Sequence, residues 1–318
     1  MSDLNPNVLL VIKILCLSLI CLFIMAAAGS SLVATVDEIL ARTRKKVFLD
    51  KAGWQASSMG MILALATLPF TVGSWVILFI ATPQDSIPQV PLGPAFYLIA
   101  GAFFFSLALM LLHRLTWAAM AKLKGLHIAL GILTVATLLA VLFLALNLKR
   151  TLFLYPVAFV MDPSLGSFFS LMGTIPAGSF FWPLLIQLMA LCVCAAGAVG
   201  LPYIVVRRSR DDFGRDYYAY AAKHMATWAL AGCVFQFPCQ TWLSRSLLPL
   251  FQANPAQSAM LAYSMIASAA CLAIAVFTWF VVRRSKNPLR AKAAMFLGAL
   301  FLYLGLAAQG WCLSTLFF

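Results

Sequence analysis

Apolar residues run almost unbroken over 8–35, 58–81, 95–113, 127–147, 179–206, 224–248, 258–282 and 293–316, with short polar stretches between them. Each run reaches the roughly 20 residues that a helix needs to cross a hydrocarbon core. Inside such a core no water is present to bond the backbone, so a single spanning segment must pair its own amides and carbonyls, as a helix does. The pattern predicts an all-α, polytopic membrane helix bundle of about eight transmembrane helices. No Asp or Glu falls inside any of the eight runs, which argues against a carboxylate proton relay or a carboxylate-bound sodium site within them.

The stretches between the runs alternate in charge. Arg42, Arg44, Lys45, Lys46 and Lys51 fall in the first, and Arg114, Lys122 and Lys124 in the third. Arg207, Arg208, Arg210, Arg215 and Lys223 fall in the fifth, and Arg283, Arg284, Lys286, Arg290 and Lys292 in the seventh. Of the 22 Lys and Arg, these leave only Lys13, Lys149, Arg150 and Arg245, which belong to the opposite helix ends or reach them by extending along the helix. Basic connections stay on the cytoplasmic side. Both termini are therefore expected on the non-cytoplasmic side of a cell inner membrane, with an even number of crossings.

The remaining connections differ in kind. Residues 82–94 carry Pro83, Pro88, Pro91 and Pro94 and read as an irregular loop. Residues 148–178 form a longer, still apolar outer segment. In it Asp162-Pro163 offers an N-cap followed by proline at the first helical position, and Gly173 offers a stop. Leu165, Phe168, Phe169 and Met172 then share a face, so a short amphipathic helix lying flat at the outer interface is expected, as a lid or as filler. This segment separates a first membrane half, 1–147, from a second, 179–318. The halves share a motif of Asp-x-x-small-aromatic-x-Ala-x-x-Met, at Asp50–Met59 and at Asp216–Met225, each leading into the next helix. Two parallel four-helix repeats would explain it, as would the common demands of a membrane interface.

Composition sharpens the class. The 318 residues are 64% hydrophobic and 10% charged, against about 45–50% and about 25% for soluble domains. The net charge of +13 sits in the connections without interleaved aromatic patches, so nucleic-acid binding is rejected. Eight cysteines lie in apolar segments with no CxxC pair, which speaks against a cysteine zinc or iron–sulfur site. Ala26–Ala28 imitate a signal-peptide cleavage site, but Met1–Val8 lacks a basic residue and Lys13 interrupts the apolar stretch, so a retained first helix is expected.

Candidate chemistry concentrates in two places. His113, His127 and His224, the only histidines, fall near the cytoplasmic ends of their runs. Imidazoles on neighbouring helices are the axial ligands that haem b requires. His127 with His224 is the preferred metal-ligating pair, and His113 with His127 is the alternative across one hairpin. His127-Ile-Ala-Leu-Gly131 is similar to the His-x-x-x-Gly stretches of some membrane haem helices. The competing reading places these rings in the headgroup layer as ordinary interfacial residues. The second place is the outer half, where Asn147, Gln187, Gln236, Gln240 and Gln309 are the polar side chains. Gln236 and Gln240 lie one turn apart on one face, and Pro238 interrupts the backbone ladder between them. A cavity lined by neutral amides, with basic groups at its rim, suits a quinone head group or an anionic amphiphile. Alternatively the amides bond across helices and only hold them together.

No Walker loop, HExxH or GxSxG motif occurs. Asp211, Asp212 and Asp216 lie among arginines, an arrangement that favours a solvated ion-pair network over a metal site. Three functional readings follow: a quinone- or haem b-binding electron-relay or anchor subunit among respiratory partners, a small-molecule or lipid permease, and a structural membrane scaffold.

Overall fold

The computed structural model describes residues 6–81, 94–155, 164–211, 213–252 and 254–317. Among these residues every regular element is helical. The order is α1 Pro6–Arg44, α2 Val47–Ala81, α3 Pro94–Leu115, α4 Lys124–Leu154, α5 Leu165–Gly173, α6 Phe181–Arg207, α7 Arg215–Phe251, α8 Pro255–Arg284, a 3-10 turn at Pro288–Arg290, and α9 Lys292–Phe317. Six of these helices are long and apolar enough to cross a membrane: α1, α3, α4, α6, α8 and α9. α2 and α7 are also long, at 35 and 37 residues, and α7 is the most polar of the long helices, with Arg215, Asp216, Lys223 and His224 in its first three turns.

α1 runs past the end of its apolar run. Helix continues through Asp37 and Glu38 to Arg44, and the chain reverses into α2 at Lys45, whose φ of 52° is the left-handed conformation that ends a helix. The two acids, expected in a polar connection, are instead 0% and 1% exposed. The expectation fails because hydropathy measures a residue's own polarity and is blind to the partners that a neighbouring helix brings to it.

α1 is the hub, packing on α2, α4, α6 and α9, while α6 pairs with α7 and α8 with α9. Small residues allow these approaches. A side chain at Gly197 would collide with the backbone of Met225 and Ala229, and one at Gly232 with that of Cys194, so α6 and α7 are almost in backbone contact. The main core gathers around this crossing, with Leu201, Tyr217, Ala222, Met225 and Trp279 buried in it.

α5 begins at Ser164, whose hydroxyl accepts a hydrogen bond from the Ser167 amide at 3.2 Å, and ends at Gly173. The Asp162-Pro163 start signal lies outside the described residues. Phe168 is fully buried against Ala95 of α3 and Leu144, Leu148 and Leu152 of α4, so the short helix is docked by its apolar face. The cysteines are all free thiols.

Candidate functional site

Consecutive residues on a helix point about 100° apart. Asp37 and Glu38 therefore face different neighbours, and between them they engage all three histidines. Glu38 meets His127 of α4, whose Nδ1 lies 2.7 and 2.8 Å from the two carboxylate oxygens. His113 of α3 brings its Nε2 to 3.5 Å from the same carboxylate, and the Lys124 ammonium stands 3.4 Å away. Lys124 is held more closely by Asp50, at 2.8 Å. On the other side of α1, Asp37 takes the His224 Nε2 at 2.8 and 2.9 Å. Tyr220 stacks on the His224 ring with centroids 5.6 Å apart, and Trp228 donates toward it from one turn further along α7.

The Glu38 cluster is dry: His113 is 2% exposed and His127 0%. Their rings stack, with centroids 4.4 Å apart, and the Trp117 ring closes the edge. Lys124 lies over that indole at 5.0 Å, so the ammonium is shared among Trp117, Asp50 and Glu38. Gly131 makes room for the arrangement. A Cβ there would fall 2.9 Å from His113 Nε2 and 2.6 Å from Thr35 Oγ1.

One hydrogen bond fixes the chemistry of His127. Its Nε2 lies 2.8 Å from the His113 backbone carbonyl. A carbonyl oxygen only accepts, so Nε2 carries the hydrogen. In the neutral ring Nδ1 then presents a bare lone pair to the Glu38 carboxylate, which is also an acceptor. The His113 Nε2, buried and without a hydrogen-bond partner, points into the same space. The Glu38 carboxylate, His127 Nδ1 and His113 Nε2 thus converge, with the Lys124 ammonium beside them.

A second polar layer lies at the same end of the helices. Arg207 forks onto Asp211 at 2.9 Å through both Nε and Nη2. Gln55 donates to the same carboxylate at 3.3 Å and accepts from the Tyr217 hydroxyl at 2.7 Å. Burial pushes the Tyr217 phenol well above its ordinary range, so it remains a donor. Arg114 bonds Ser58 and lies over Trp54 at 4.4 Å. Asp211 thus belongs to an ion-pair network, and Asp212 lies outside the described residues.

The outer amides divide. Gln236 donates to the backbone carbonyl of Gln187 at 3.0 Å and Gln240 to that of Met265 at 2.9 Å, so these two tie α7 to α6 and α8. The side chains of Gln187 and Asn147 have no hydrogen-bond partner among the described residues, and neither does the Thr151 hydroxyl. Beside the latter two stands Arg150, 1% exposed, giving a 3.3 Å hydrogen bond from Nη1 to the Leu171 carbonyl of α5 and lying over the Tyr155 ring at 5.8 Å. Its Nε and Nη2 are unpartnered, and among the described residues no carboxylate pairs with it. Toward the N-terminal end of α4 lies a cavity of about 500 Å³, walled almost wholly by apolar side chains that include Leu107, Leu138, Leu142, Met189 and Val193.

Of the residues singled out in sequence, His113 and His127 come together, whereas His224 is directed to Asp37 on another side of α1. Gln187, Gln236 and Gln240 cluster as neighbours, but only Gln187 keeps its side chain unengaged. Asp37, Glu38, Lys124 and Arg150 are the participants that hydropathy and motif spacing pass over. No family model matches the chain, and no curated protein matches it in sequence.

Proposed function

We propose that the protein is an eight-span inner-membrane protein, with both termini on the outer side, that binds an anionic amphiphile. The head group sits against Arg150 and the chain runs toward the apolar cavity. The observation that carries this reading is the buried guanidinium that no carboxylate pairs among the described residues. Arginine does not lose its proton in proteins, so the charge persists. A buried charge left unpaired costs several kcal/mol. A carboxylate or phosphate ester ligand would remove that cost through charge-assisted bonds to Nε and Nη2. Asn147 and Thr151, within one turn of Arg150 on α4, supply further polar atoms, α5 covers the head, and Gln187 of α6 is assigned to the same head-group site. Leu139, which lines the cavity, and Phe143, Leu146 and Arg150 follow one stripe of α4, so a single ligand can span both.

This favours the lipid-handling reading over a quinone-binding electron-relay subunit, because a neutral quinone leaves the cation uncompensated. It also makes the unpartnered amides more than interhelical ties. The test is native mass spectrometry of the full-length protein purified in mild detergent. Retention of one acidic lipid or fatty acid per chain, lost in Arg150→Gln, supports the proposal. Retention of a quinone instead transfers the site to the respiratory reading. Equal lipid retention by wild type and Arg150→Gln overturns the site. The crossing number is checked separately: reporter fusions at residues 45 and 285 must fall on the same face.

A further inference from the structure

We propose that Glu38, His113 and His127 form a binding site for one divalent transition-metal ion, of the zinc or iron(II) kind. The three residues present ligand atoms that lie within 4.8 Å of one another, all buried. Two imidazole nitrogens and one carboxylate are a donor set used by both metals, with at least one coordination position left for water or another ligand.

The hydrogen bonding distinguishes this site from a set of histidines satisfied by the core. A metal-bound imidazole usually donates its other N–H to a carbonyl or carboxylate, which fixes the tautomer and aims the ring. His127 does so through Nε2 to the His113 carbonyl, and its Nδ1 lone pair is thereby turned toward Glu38. His113 aims a buried, unpartnered Nε2 at the same carboxylate. A proton on His113 Nε2 would reach the Glu38 carboxylate only across 3.5 Å, longer than an ordinary hydrogen bond. A metal ion satisfies both imidazole nitrogens and the carboxylate. At bond lengths near 2.1 Å the close approach of Nδ1 to the carboxylate opens by about half an ångström, within reach of a glutamate rotamer adjustment. Lys124 is the competing cation, and Asp50 already offers it a shorter bond. His224 and Asp37 form a separate pair and take no part.

The site is independent of the amphiphile reading. The test is a titration of the full-length, metal-stripped protein in detergent with Co2+, whose ligand-field absorption and nitrogen hyperfine couplings report imidazole ligation. One ion per chain with two coupled imidazoles, displaced by Zn2+, is expected. His113→Gln and Glu38→Gln should each weaken binding by about a hundredfold or more, whereas His224→Gln should leave it unchanged. No stoichiometric Co2+ uptake by the wild type overturns the proposal without recourse to any variant. So does uptake that survives both His113→Gln and His127→Gln in protein that elutes as a single folded species.

Discussion

The offset of 166 residues that relates the two inner motifs also carries His113 onto Trp279, Glu38 onto Ile204 and Asp37 onto Tyr203. In the first half a ring from α3 enters a gap beside Gly131 of α4. In the second a ring from α8 enters a gap beside Gly298 of α9, one position beyond the offset partner of Gly131, where any Cβ would collide with the Trp279 indole nitrogen. Trp279 and Ile204 are as deeply buried as their counterparts, at 0% and 1% exposure. One crossing holds a carboxylate and two imidazoles, the other an indole. If the halves are repeats, the second shows that such a crossing packs without titratable groups. The polar set in the first half is then an addition that packing does not require, retained at the cost of desolvating a charge.

The largest effect that would test this contrast is Glu38→Ala. It strips the anion from beside Lys124 and two buried imidazoles, and breaking a buried charged partner costs about 3–5 kcal/mol. Thermal denaturation in detergent should register it as a large fall in melting temperature. A variant that melts with the wild type would show the carboxylate to be inert.

Next come the two glycines. Overpacking a tight site costs about 1–3 kcal/mol, so Gly131→Ala and Gly298→Ala should lose comparable stability. Only Gly131→Ala should also disturb Co2+ binding, because its methyl group displaces His113. Equal loss of metal in both variants would mean that the halves communicate and the contrast is false.

A smaller net change is expected from rebuilding the first half in the image of the second, as Glu38→Ile with His113→Trp and His127→Ala. Replacing a buried charged set by apolar groups of similar bulk is often neutral or stabilising by about 1–4 kcal/mol. The triple variant should fold and melt no lower than Glu38→Ala while binding no Co2+. A triple variant less stable than Glu38→Ala would mean that the polar set holds the crossing together.

These residues also mark how far the sequence could be read. Six of the apolar runs correspond to helices long and apolar enough to cross a membrane, because burial in lipid demands a length and a polarity that a hydropathy pattern reports directly. The run of α1 stops at residue 35, since Asp37 and Glu38 look like the start of a polar turn. Their burial depends on His127, 89 residues away from Glu38, and on His224, 187 residues away from Asp37. A signal was present nonetheless: two adjacent acids at the inner end of one run, and all three histidines at the inner ends of others. Asp37 and Glu38, which hold the rings, fall in the polar stretch after the first run, where hydropathy reads them as surface charge. The same reasoning places Arg150 at the rim, because a sequence does not reveal that α5 closes over it.

The smallest effect concerns the outer amides, where the inner centre finds its counterpart in a layer that is partly structural. Gln236 gives one hydrogen bond, to the Gln187 carbonyl, and such bonds between membrane helices are worth about 0.6 kcal/mol on average. Gln236→Leu should therefore shift the melting temperature only slightly and leave both Co2+ uptake and lipid retention at wild-type levels. Gln187→Leu makes the sharper comparison, since its own amide bonds nothing among the described residues. Removing an unpartnered buried amide relieves a desolvation cost, so the apo protein should be unchanged or slightly stabilised. Lipid retention should fall, because a polar atom facing the head group is gone. Stability that drops in Gln187→Leu while lipid retention holds would place this amide with Gln236 as an interhelical tie, and Arg150 would be left to hold the anion without it.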